Sequence, residues 1–333
     1  MMLMRKFLIA GFLIQFLGSA STQSQIAVPC DYYNQKLPGD KPALFAPHVI
    51  CDGFANRDFA ISPDGNEIFY TLQQKDLVSV IMYVDKVRGK WSVPQVAEFS
   101  GMYNDLEPAF TADGNRLFFS SNRALSASDS IGDYNIWHVD KKDGRWTSPV
   151  ALGPEVNTTR DEFYPSIARN GNLYFTTQLE SGKGKEDIVM SEWKNDAYLA
   201  PVSLPDAINS KNFEFNAFVD PDEQFIIFSS FGRSDDVGRG DLYMSVKKNG
   251  EWQAAVNLGK MINSSALDYC PFVTWDKKYL FFTSARANYK SPFSSKQTTA
   301  ELKKNLQGPS NGFDDIYWVK FDGILRNIEQ GRR

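Results

Sequence analysis

Short apolar runs alternate with polar turns along this chain, at a spacing too tight for helices and right for strands. The clearest unit is Ala60-Ile61, then Ser62-Pro63-Asp64-Gly65-Asn66, then Glu67-Ile68-Phe69-Tyr70. It reads as two strands joined by a tight turn, since Asp-Gly supplies the positive φ that a two-residue hairpin turn needs. The unit returns at 109–121 around Asp113-Gly114, at 166–177 around Asn170-Gly171, at 217–230 around Asp222-Glu223 with one extra residue, and at 272–284 around Asp276-Lys277. The last two turns lack Gly, which leaves their type open. A loop and a third strand follow each hairpin, starting at Ile81, Ile136, Ile188, Leu242 and Ile316, at intervals of 55, 52, 54 and 74 residues. The long final interval predicts an insertion at residues 287–312. Asn135, Asp187, Asp241 and Asp315 stand immediately before four of the third strands, where a short polar side chain can bond nearby backbone and fix a turn.

An outer strand is expected after four of the five: Trp91-Ser92-Val93-Pro94, Trp146-Thr147-Ser148-Pro149, Tyr198-Leu199-Ala200-Pro201 and Trp252-Gln253-Ala254-Ala255. The fifth unit has none, since the chain stops ten residues after Gly323. The same pattern occurs far upstream, in Leu44-Phe45-Ala46-Pro47-His48-Val49-Ile50. The expected fold is therefore all-β: a β-propeller of five four-stranded blades, with six the alternative, closed by an N-terminal strand that completes the last blade. Closure protects edges that would otherwise template aggregation. The predicted organisation is a signal peptide at 1–20, an N-terminal segment at 21–42, one propeller domain at 43–323 and a C-terminal tail at 324–333. Inside the insertion, residues 299–307 read as a helix, with Thr299 as its cap and Gly308-Pro309 as its stop.

The Ser-Pro-Asp-Gly hairpin, the Phe-Phe-Ser-Ser strand at 118–121 and the Asp-Ile-Tyr start of the strand at 315–317 resemble the TolB-type, WD-like propeller repeats of exported bacterial proteins. The resemblance covers about residues 43–322. It implies a propeller fold and, in function, a binding platform that occasionally carries an enzyme.

The N-terminus agrees with export. Arg5 and Lys6 precede an apolar run at 7–17, and Gly18-Ser19-Ala20 supplies small residues for cleavage after Ala20. The run falls short of the roughly 20 residues a bilayer span requires, and no second long apolar segment follows. A periplasmic or extracellular protein, monomeric and without a transmembrane span after cleavage, is expected. There Cys30 and Cys51 could pair, or all three cysteines, Cys270 included, could be free thiols. The 36 basic and 40 acidic residues give a formal charge of −4, and losing Arg5 and Lys6 takes it to −6. That balance argues against a nucleic-acid surface. Aromatic residues make up 14% of the chain, which strands favour.

Candidate chemistry gathers on one face. Propeller geometry places the loops entering the first strand of each blade beside the loops joining its second and third strands. The first set carries Asp58, Asp105 with Glu107, Asp161 with Glu162, Glu214 and Asp268, together with Arg57 and Arg160. The second set carries Arg123, Arg233 and Arg286. Tyr103, Tyr164 and Tyr269 lie close by and could stack on a sugar or peptide. An arginine fork suits carboxylate partners, so these groups read either as a polar ligand site or as ion pairs within the blade framework. The only two histidines, His48 and His138, both fall in predicted strands, and no three-histidine metal site can be built. No nucleophile elbow, zinc-protease helix, phosphate loop or dinucleotide fingerprint occurs, and no cofactor or metal is expected. Two functions follow: a non-catalytic platform binding a protein or glycan of the cell envelope at the acidic, Arg-lined face, or a glycoside hydrolase or lyase using paired carboxylates in the channel. The second needs two carboxyls about 5–9.5 Å apart.

Overall fold

A computed structural model describes residues 32–75, 77–126 and 132–331. The signal region, Cys30 and residues 127–131 of the Ser-rich loop lie outside these. The chain forms a five-bladed β-propeller. The innermost strands are Ala55–Ile61, Asp105–Phe110, Phe163–Ile167, Phe213–Val219 and Asp268–Val273, and each meets the next in a closed ring, the last contacting the first. In every blade the second and third strands pair outward from the first in antiparallel register.

The hairpins form as their residues dictate. In the first three turns Gly65, Gly114 and Gly171 take positive φ, and in the last two Glu223 (φ 53) and Lys277 (φ 56) adopt it without glycine. The Ser62, Thr111 and Thr274 hydroxyls donate to Asp64, Asp113 and Asp276 two residues on. Asp187 accepts from the Lys183 and Gly184 amides, Asp241 from those of Val237 and Gly238, and Asp315 from Ser310. These acids fix the loops ahead of their strands.

The core lies between blades. Phe59 stacks on Phe281 at 3.9 Å across the junction of blades 1 and 5, Trp318 stacks on the same Phe281, and Phe45 stands edge-on to all three. Each such fully buried ring contributes roughly 1.5–3 kcal/mol. The N-terminal closing strand is present but short: only Ala43–Leu44 pairs, with Trp318 and Tyr317. Beyond it Ala46 (φ 40) and His48 (φ 64) turn the chain, so His48 is exposed in a turn and not in a strand, while His138 does lie in the strand Asn135–Lys142. Tyr32 packs against Tyr279 and Trp318, and Tyr33 stacks on Trp91 at 5.2 Å.

The outer strands differ from the continuous segments expected. Each is two two-residue pieces, such as Lys90–Trp91 and Gln95–Val96, or Arg145–Trp146 and Val150–Ala151. Pro94, Pro149 and Pro201 sit between the pieces in blades 1 to 3, where a residue without an amide proton cannot donate to a ladder; blade 4 breaks at the same place with Gln253-Ala254-Ala255, so the break does not require proline. The insertion helix spans Thr299–Gln307, but its cap is Thr298, which forms a capping box with Glu301; a cap has extended φ/ψ and precedes the first helical residue. The C-terminal segment includes a helix, Asp322–Glu329, whose Ile324, Leu325 and Ile328 pack on the core between blades 4 and 5. No helix among the described residues is long and apolar enough to cross a membrane.

Candidate functional site at the channel mouth

Every innermost strand carries one irregularity at the same place. The register shifts between Arg57 and Ala60, and at the matching points of the other four blades. The extra residue has positive φ each time: Asp58 (61), Glu107 (63), Tyr164 (53), Asn216 (49) and Cys270 (51). Such conformations cost on the order of 1–3 kcal/mol in non-glycine residues and persist only where neighbours hold them. Here a hydroxyl of the preceding blade holds the amide: Thr283 accepts from Asp58, Thr71 from Glu107 and Thr176 from Asn216. The bulges bring residues from all five blades together around the axis.

Arg57 ties this centre together. Its Nε donates to Asp58 at 2.8 Å, and its Nη2 donates to Glu107 at 2.8 Å and to the Cys270 Sγ at 3.4 Å. The guanidinium lies over the Tyr269 ring at 4.8 Å. Glu107 also accepts from the Asn216 amide group at 3.1 Å and the Tyr164 backbone at 2.7 Å. Burial pushes the Glu107 carboxyl up to about 7, with Arg57 pulling down and Asp58 pushing up. Burial also raises the Cys270 thiol well above its usual range, so the group is a thiol and a poor nucleophile. Below this plug the channel is lined by Phe59, Phe110, Phe218, Phe272 and Trp275 and retains a cavity of about 30 Å³. That space suits a water or two and no sugar ring.

Most of the other predicted charges form a second system, a clasp at the top of blades 2, 4 and 5. Arg123 Nη2 donates to Asp105 at 2.5 Å and to the Phe99 carbonyl, and its Nε donates to the Ser121 hydroxyl. Arg233 repeats this with Glu214, Ile208 and Ser230, and Arg286 with Asp268, Ile262 and Ser284. All three carboxylates are buried. Aromatic rings of the second and third strands sandwich each guanidinium, as Phe282 and Tyr317 do for Arg286. Buried Asn157, Asn209 and Asn263 complete the blade tops by bonding both backbone groups of Ile136, Ile188 and Leu242. These asparagines recur at one place after each outer strand, as Asn-Thr, Asn-Ser and Asn-Ser, a pattern present in the sequence but overshadowed there by the charges. Asp58 is not a clasp acid: it is in register with Glu107, and Asn56 stands in the clasp position of blade 1.

Blade 3 has the acid without the arginine. Glu162 is buried and accepts from the Thr158 amide and hydroxyl, but Leu179 replaces the guanidinium and packs beside Val156. Arg160 points elsewhere, 3.8 Å from Glu180. Burial pushes Glu162 up to about 7 from its ordinary 4.5. The folded state then keeps a proton that the unfolded state has already lost, so this group's stabilisation disappears as pH rises from 4.5 through 7. Glu107 acts in the same sense. Midpoints of urea unfolding at about pH 5.5 and about pH 7.5 should fall with pH, and less steeply in Glu162→Gln. Leu179→Arg, which restores the clasp, should flatten the slope similarly; an unchanged slope in both variants would refute the assignment.

The predicted tyrosines separate. Tyr164 is buried and donates to the Pro271 carbonyl, Tyr269 is buried and donates to Asp314, and only Tyr103 is part-exposed, beside Arg123 at 5.3 Å. Cys51 is buried, has no disulfide partner among the described residues and accepts from the Ile316 amide; its predicted pairing with Cys30 falls outside the described residues. Among the described residues no three His, Cys, Asp or Glu side chains are placed to hold a metal ion. What the face does present is apolar. Phe54, Leu77, Met102 and Phe313 are exposed in the loops around the mouth, and Phe231 at the end of the strand Phe225–Phe231, a type of surface that marks interaction sites when contiguous.

No protein-family model matches the chain, and no curated protein matches it in sequence. Solved structures do. A glycoside hydrolase aligns with a TM-score of 0.51 at 6% identity, covering 86% of this chain and 93% of its own. An alpha-L-arabinofuranosidase from Lactobacillus brevis aligns at 0.49 and 11% identity, over 82% of this chain and 92% of that enzyme. TolB from Acinetobacter baumannii aligns at 0.44 and 12% identity over 80% of this chain, which spans only 57% of that protein's length. The likeness to the glycoside hydrolase, at 6% identity, establishes a shared fold alone and carries no activity with it.

Proposed function

We propose that the chain is an exported, non-catalytic β-propeller that binds a protein or a glycan of the cell envelope on the face carrying the clasps. One observation carries this reading: of the buried carboxylates that could have done chemistry, all but Glu162 are bonded to an arginine, Glu162 is buried on Thr158, and the loops around them expose large apolar side chains. A hydrolase or lyase working by paired carboxylates would need two free carboxyls facing a substrate. Asp58 and Glu107 both bind Arg57, and Asp105, Glu214 and Asp268 are each held in a separate clasp. The channel beneath has no room for a sugar. The contact surface is then the rim, with Tyr103 and the exposed loop residues meeting the ligand and the clasps keeping those loops in place.

A photo-crosslinking amino acid placed at Phe54, Met102 or Phe231 tests this in the source envelope. Adducts are expected from these positions and not from Val93, which is exposed at an outer turn. Adducts only from Val93, or turnover of a polysaccharide by the purified protein, would overturn the reading.

A further inference from the structure

The insertion in blade 5 breaks the propeller's symmetry more than any other segment, and it is firmly built. Its two ends meet where Ala287 bridges Asn311 and the Asn288 amide donates to the Ser310 carbonyl. Ser310 bonds Asp315 and the Tyr317 hydroxyl of the blade's third strand. Asn311 donates to the Gly53 and Leu306 carbonyls, linking the helix Thr299–Gln307 to the loop that enters blade 1. Gly53 (φ 103) makes this approach possible: a Cβ there would lie 2.2 Å from the Gln307 carbonyl oxygen. The helix is closed at its start by the Thr298–Glu301 capping box.

The lobe is basic on an acidic protein. Lys290, Lys296, Lys303 and Lys304 are all exposed, and none forms an ion pair with a described residue. The lobe's single acid, Glu301, is occupied by the Thr298 amide and hydroxyl. The four lysines are spread over fifteen residues of loop and helix, which suits charges repeated along a polymer. Rings stand beside them: Phe313 and Phe54 are more than half exposed at the foot of the lobe, and Tyr289 stacks on Phe293 at 5.5 Å. Apolar ring faces next to dispersed lysines fit pyranose rings that carry carboxylates. A nucleic acid fits less well, since the net charge of −4 opposes a dense polyanion.

We infer that residues 287–312 form the binding lobe for a uronate-bearing polysaccharide, which rests on the proposed function and names its ligand class. Electrophoresis of the full mature chain through gels containing polygalacturonate, neutral galactan or duplex DNA provides the test. Retardation by polygalacturonate is expected, weaker at about 300 mM than at about 50 mM salt, with little effect of galactan or DNA. The variant Lys290→Gln, Lys296→Gln, Lys303→Gln, Lys304→Gln should lose about tenfold or more in affinity, and Phe313→Ala should also lose affinity while keeping the salt dependence. No retardation, equal retardation of the quadruple variant, or equal retardation by galactan or DNA would overturn the inference. Crosslinks at Phe54, Met102 or Phe231 that persist in any of those cases would leave the platform function standing. Crosslinks confined to Val93, with polygalacturonate retardation that is lost in the quadruple variant, would overturn the rim contacts and leave the lobe's ligand class standing.

Discussion

Arg57→Met should lower the unfolding free energy by about 3–5 kcal/mol, the usual result of removing one partner from a buried ion pair. The cost comes from what stays behind. Asp58 and Glu107 are almost fully buried, and one Asp58 oxygen already lacks a partner among the described residues. Without the guanidinium, burial would hold Glu107 as the neutral acid, and Asp58 would lose its buried ion-pair partner. Methionine conserves much of the volume, so a cavity contributes little. Adding Asp58→Asn and Glu107→Gln to Arg57→Met should recover most of the loss, because neutral amides are cheaper to bury than unpaired charges. Denaturant unfolding of the three proteins decides it. A loss below about 1 kcal/mol in the single variant would mean that solvent reaches the plug and that the channel is open.

Arg286→Ala should cost a comparable 3–5 kcal/mol, about the value for a broken buried pair. It removes the bond to Asp268 at 2.6 Å, those to the Ser284 hydroxyl and Ile262 carbonyl, and a cation held between Phe282 and Tyr317. A double-mutant cycle with Asp268→Asn separates the pair from the stacking. The alternative role for this arginine, direct contact with a ligand, predicts a weakened complex on an intact fold. Equal stability of Arg286→Ala and wild type would therefore return the residue to the binding surface.

The architecture is legible in the sequence because the hairpin, the third strand and the polar residue before it recur at nearly constant intervals, and only a radial arrangement buries five such units. The insertion helix is legible from its capping and stop residues, displaced by one position at the cap. The outer strands mislead, since a proline inside a ladder and a proline at its end look alike in one dimension. The site is half legible. Acids and arginines fall on the correct face, yet the sequence alone does not separate Asp58 from Asp105. Their difference is a two-residue offset created by a backbone bulge, which leaves no mark in composition: its residues are Asp, Glu, Tyr, Asn and Cys, with no shared chemistry. The missing arginine of blade 3 is visible as Leu179, but it acquires meaning only once the other blades supply the pattern.

The closing strand has a mechanical consequence. A ring sealed by two residue pairs, Ala43 with Trp318 and Leu44 with Tyr317, and by the bonds Phe45 N–H to Ile316 and Lys320 N–H to Gly39, has a seam made from the chain's N-terminal segment, reinforced by the rings of Tyr32 and Tyr33 about ten residues upstream. Tension on the N-terminus would load Tyr32 and Tyr33 first and the two ladder pairs next, and blade 5 would part from its outer strand before any hairpin yielded. The propeller is built like a belt whose buckle lies at the end from which it would be pulled.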